Sequence, residues 1–106
     1  MQLGRLDSAA TEYREAIRLA PHTAAGYVDL AAVLRAQGRV PEAADVLRRG
    51  VAILPDDPVM LLALARFYRN AGDTARARRY AEALLQKYPN DAQGQALLRS
   101  LSVRGR

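Results

Sequence analysis

An all-α fold of antiparallel helix hairpins is predicted by three residue series that share one period. Pro21, Pro55 and Pro89 stand 34 residues apart, Gly4, Gly38 and Gly72 repeat with the same step, and so do Ala9, Ala43 and Ala77. Between each proline and the next glycine, and between each glycine and the next proline, lie roughly 14 residues with apolar positions at helical spacing. Each period is therefore two helices, and one unit makes one hairpin.

The elements follow in order. Residues 1–20 match only the second helix of a unit, because Gly4, Leu6, Ala9, Tyr13, Ala16, Ile17 and Pro21 align with Gly38, Val40, Ala43, Leu47, Gly50, Val51 and Pro55. In the unit after Pro21, Tyr27, Leu30, Ala31 and Leu34 follow the i, i+3, i+4, i+7 rule of a helix face. Gly38 closes that helix, since glycine tolerates the left-handed backbone of a helix C-terminus. Pro41 sits in the first turn of the next helix, where a missing N–H does no harm. That helix presents Ala43, Val46, Leu47, Gly50, Val51 and Leu54, and Pro55 stops it. Asp57 caps a helix beginning at Pro58, in which Leu61, Leu64, Ala65 and Tyr68 take the places of Tyr27, Leu30, Ala31 and Leu34. Asp73 or Thr74 caps a further helix carrying Ala77, Tyr80, Ala81, Leu84 and Leu85. Asn90 and Gln93 then have capping-box spacing ahead of a last helix over residues 91–103.

A hairpin repeat of this length, with Leu, small, aromatic, Gly, Ala and Pro residues at these spacings, resembles the tetratricopeptide repeat. The resemblance covers nearly the whole chain. It implies a right-handed α-solenoid with about two full repeats (residues 22–55 and 56–89), a leading half repeat (1–21) and a C-terminal capping helix with its tail (90–106), all in a single domain. The paired small residues of the family are Ala31 with Ala43 and Ala65 with Ala77, which let two helices approach closely. Departures occur: the family's first-helix tryptophan is Tyr27 and then Leu61. Its final small residue is Gly50 but then Leu84, while the bulky residue before it is Leu47 but then Ala81. That exchange of large and small preserves core volume. The leading half repeat lacks its own first helix, so the chain is expected to be a fragment of a longer array. Ala9, Tyr13 and Ala16 would then form an open face able to pair two copies.

Composition narrows the chemistry. The chain has 106 residues, no cysteine and one histidine, His22, in a turn between repeats. Thiol chemistry, His-paired metal ligation and a His-centred triad have no residues to use, and the spread glycines form no phosphate loop. No catalytic, metal or cofactor site is expected. Paired acids such as Asp56 with Asp57, or Glu12 with Glu15, suit helix capping and solvated faces better than acid–base catalysis. No segment has the length and apolarity of a membrane span, and Met1 to Ala20 is amphipathic where a signal peptide would be continuously apolar. Localisation is expected to be decided upstream.

Function is expected on a surface. In proteins of the resembled family the first helices line a concave groove, which here would expose Ala25, Val28, Ala32, Arg35 and Ala36 from one unit and Val59, Leu62, Arg66, Arg69 and Asn70 from the next. Such a groove suits an extended or helical peptide with apolar anchors and an acidic group, because guanidinium forks bind carboxylates bidentately. The two-carboxylate clamp with which co-chaperones of the family grip heat-shock proteins is missing. Asp29 or Ala63 stands at its asparagine place, and Lys87, the single lysine, ends a second helix. A net charge of +5, with Arg76, Arg78 and Arg79 in one patch, raises nucleic acid as another partner. The expectation is against it, since no aromatic residues interleave that patch as stacking platforms.

Overall fold

The computed structural model describes residues 3–104, and helices are the only regular elements among them. They are α1 (Leu3–Leu19), α2 (Ala24–Ala36), α3 (Val40–Ile53), α4 (Pro58–Asn70), α5 (Thr74–Lys87) and α6 (Ala92–Arg104). The chain forms two compact units, divided between Pro55 and Asp56.

In the first unit α2 is central and packs against both α1 and α3. Its buried face is Tyr27, Leu30, Ala31 and Leu34, with Ala24 one turn earlier. Opposite it, α3 buries Ala43, Val46, Leu47 and Gly50. The Tyr27 hydroxyl donates to the Pro21 carbonyl at 2.7 Å, tying the helix to the turn that precedes it. On α1 the deepest side chain is Ala10, only 2% exposed, whereas Ala9 and Tyr13 are half-buried. Burial of Ala10 comes from α2, on which α1 packs. A Cβ at Gly26 would stand 3.0 Å from Ile17 Cγ1, which shows how closely the two backbones meet.

In the second unit α4 packs on α5, α5 on α6, and α4 also reaches α6. Leu61, Leu64, Ala65 and Tyr68 are buried on α4, against Ala77, Ala81 and Leu84 on α5. The exchange of Leu47 and Gly50 for Ala81 and Leu84 is thus accommodated with all four residues buried. Leu84 extends towards α6, where a Cβ at Gly94 would lie 2.9 Å from its Cδ2.

The punctuation residues act as their chemistry dictates. Gly38 and Gly72 have φ of 80° and 82°, and the amides after them reach back to close the helices, Arg39 N to Leu34 O and Asp73 N to Tyr68 O. Gly4 departs from its series. It lies within α1, and the left-handed glycines are Gly38 and Gly72. Asp57 accepts hydrogen bonds from the amides of Val59 and Met60, and Asp73 accepts from that of Arg76 at 3.0 Å. The last helix differs from the sequence expectation at its start. Asp91, not Asn90, is the cap, accepting from the Gly94 amide at 2.7 Å. The turn in which the Asp91 amide bonds the Tyr88 carbonyl moves the helix start one residue on, so Gln93 has no capping-box partner and points elsewhere.

Candidate interaction surface

The residues expected on the first helices are found at or near the surface of each unit. On α2, Ala25, Ala32, Arg35 and Ala36 are exposed and Val28 is half-buried. Their rotation places them away from the Tyr27, Leu30, Ala31 and Leu34 face that enters the core. Arg35 makes no ion pair among the described residues; Asp29, its candidate partner in the sequence, does not reach it.

On α4, Val59 is 51% exposed, Leu62 and Arg69 are half-buried, and Arg66 and Asn70 are exposed. Val59, Leu62, Arg66 and Arg69 form a row at i, i+3, i+7 and i+10, about 15 Å long at 1.5 Å per residue. The α6 helix lies beside this row. Arg66 Nη2 donates to Gln93 Oε1 of α6 at 3.1 Å, and Arg69 Nη2 makes a long contact of 3.4 Å with the neighbouring Asn70 Oδ1. Both guanidinium groups therefore meet neutral amide oxygens. The role of Gln93 was hidden in the sequence behind its apparent capping-box spacing.

The second unit's acids are occupied elsewhere. Asp57, Asp73 and Asp91 cap helices, Asp56 pairs with Lys87 at 3.4 Å, and Glu82 lies on α5. The pKa of Asp73 is lowered below its ordinary range, first by the Arg76 backbone amide and then by the Arg76 side chain.

The Arg76, Arg78 and Arg79 patch differs from its sequence reading. Aromatic rings do accompany it: Tyr68 and Tyr80 stack with centroids 5.9 Å apart, and the Arg76 guanidinium sits 5.7 Å from the Tyr68 centroid. These rings already face one another. Arg76 also pairs with Asp73 at 2.8 Å, and Arg78 donates to the Leu101 carbonyl at 3.4 Å. Much of the patch is thus engaged within the unit.

The remaining candidate face is on α1, where Ala9 and Tyr13 are half-buried and Ala16 is exposed. Its acid Glu15 is paired with Arg18, which lowers the Glu15 pKa through that hydrogen bond and raises that of Arg18. Among the described residues no helix is long and apolar enough to cross a membrane.

Repeated helix hairpins with small residues at their close approaches and varied outer faces define a protein–protein interaction module. The chain belongs to the tetratricopeptide repeat family: one family model of that description matches residues 34–101 and another residues 1–58. It is also similar to a cytochrome c-type biogenesis protein, CycH, of Rhizobium meliloti (strain 1021), with 38% identity over 96 residues. The match covers 87% of this chain and 25% of the relative, so the chain spans about a quarter of that protein's length.

Proposed function

We propose that this chain is the polypeptide-holding part of a c-type cytochrome biogenesis protein. In the second unit the exposed row of α4 takes a segment of a partner protein that carries apolar anchors and carboxylates, and in the first unit the exposed row of α2 is a separate face of the same kind. The observation that carries this reading is the α4 row itself. Val59 is 51% exposed on a helix whose other side is packed, and it is followed along one face by Leu62 and two arginines that make no ion pair among the described residues. Apolar side chains left in water beside desolvatable cations are what a peptide-binding helix needs. Similarity to CycH supports the assignment to cytochrome c biogenesis.

The test is made in the full-length protein in its own host. Val28→Asp with Leu62→Asp alters both rows without touching the buried faces. Holo c-type cytochrome, read from its visible absorption, is expected to fall severalfold while the level of the altered protein stays normal. Unchanged cytochrome content at equal protein level would remove these rows from the function.

A further inference from the structure

We infer that the α4–α6 face of the second unit recognises a short extended segment of the pattern apolar, any, acidic, any, acidic, with the apolar residue on Leu62 and the two carboxylates on Arg66 and Arg69. This rests on the proposal that the α4 row binds a polypeptide and specifies what that row selects.

Charge distribution is the first support. Residues 56–106 hold nine arginines and lysines against five aspartates and glutamates, whereas residues 1–55 hold seven against six. None of the five acids is on the α4 row or on the α6 residues next to it, since they serve as caps, pair with Lys87 or lie on α5. An anionic segment approaching Arg66 and Arg69 meets the nearest carboxylates, Asp57 and Asp91, only where each is turned to the amides of a helix N-terminus.

Geometry is the second. Arg66 and Arg69 are one turn apart on one helix face, with Cβ atoms about 5–6 Å apart. Alternate residues of an extended strand point to the same side and are separated by about 6.6 Å, so two carboxylates two residues apart match the two guanidinium groups. A further step of two residues reaches Leu62, one turn before Arg66, and leaves Val59 to cover the flank. The guanidinium groups already show their preference for oxygen: Arg66 spans from α4 to the Gln93 oxygen on α6, and Arg69 leans on that of Asn70. A carboxylate offers the same geometry with charge added, and charge-assisted bonds are roughly twice as strong as neutral ones.

Three fluorescein-labelled probe peptides test this against the 106-residue chain by anisotropy at low and physiological salt. The first contains Leu-Ser-Asp-Ser-Asp flanked by glycines, the second replaces both Asp by Asn, and the third replaces Leu by Ser. The first is expected to bind about tenfold more tightly than the second, and the difference should vanish in Arg66→Gln/Arg69→Gln. Leu62→Ser should weaken the first two alike. Equal binding of the Asp and Asn peptides, still sensitive to Leu62→Ser, would overturn the acidic pattern while leaving the row as a binding face. Binding of the Asp peptide insensitive to the arginine and Leu62 changes would overturn both, as would no binding of any probe.

Discussion

Gly94→Ala is the change whose sign the structure decides most sharply. In a helix, alanine is favoured over glycine by about 1 kcal/mol. Against that stands a new Cβ 2.9 Å from Leu84 Cδ2 and 3.1 Å from Leu85 Cδ2. Leu85 is half-buried and able to turn aside, but Leu84 is fully buried and held between helices. Overpacking of this kind costs about 1–3 kcal/mol, so Gly94→Ala should destabilise by about 1 kcal/mol net. In a Leu84→Ala background the obstructing methyl is gone. There the same substitution should stabilise by up to about 1 kcal/mol, because propensity acts without the clash and the new methyl fills part of the cavity. The coupling between the two sites is then about 2 kcal/mol, well above the few tenths expected of independent positions. Urea unfolding followed by far-UV circular dichroism on the four members of the cycle measures it. Equal destabilisation by Gly94→Ala in both backgrounds would refute the close α5–α6 packing from which this is drawn.

Two further outcomes follow from the same structure. Gly72→Ala meets open space but must adopt φ of 82°, and should therefore destabilise by about 1 kcal/mol through backbone strain alone; an unchanged urea midpoint would contradict the left-handed turn. Asp73 has a folded-state pKa below its ordinary value near 3.8, so the unfolded chain binds more protons in that acid range. Its contribution is present above the ordinary carboxylate pKa and is lost as pH falls through the folded value. Asp73→Asn should thus narrow the gap to the unaltered protein as unfolding is followed from neutral pH into acid, and a gap that widens on acidification would reverse the assignment.

The hairpin framework was legible because it rests on residues with unusual backbone demands. Gly38, Gly72, Pro41, Pro58 and Asp57 each do locally what their chemistry requires, and the faces at i, i+3, i+4 and i+7 were buried as read. Ala10 and Ala44 escaped notice, although both are buried, since a small residue next to another small residue looks like a helix former and carries no signal of burial. Gln95 was also opaque. It occupies the repeat position of Tyr27, and its amide donates to the Pro89 carbonyl at 2.8 Å, reproducing the bond from Tyr27 to Pro21 with an unrelated side chain. Long polar side chains were the least legible elements. Whether Arg76 faces solvent or settles over Tyr68, and whether Gln93 caps α6 or bonds Arg66, depends on which neighbour the fold brings within reach, and spacing along the chain does not encode that.

Equivalent positions in the two units separate what the scaffold requires from what it leaves free. Ala31 and Ala65 are both small and buried, as are Ala43 and Ala77, because a larger side chain at the close approach of two helices would force them apart. On the outer row no such demand acts. Val28 becomes Leu62, Arg35 becomes Arg69, and Ala32 becomes Arg66; the last change converts an apolar position with a single nearby cation into one with two cations a turn apart. On the second helices Glu42 and Asp45, which pair with Arg39 and Arg48, give way to Arg76 and Arg79. The 34-residue period is broken in the core as well, but there Tyr27 to Leu61, Leu47 to Ala81 and Gly50 to Leu84 exchange one buried uncharged residue for another, whereas the breaks on these outer faces include changes of charge. If the two units differ in what they hold, Arg66 is the residue that makes the difference: Ala32→Arg should give the first unit's row two cations spaced like those of the second, whereas Arg66→Ala should leave Arg69 alone, without a second guanidinium to select paired carboxylates.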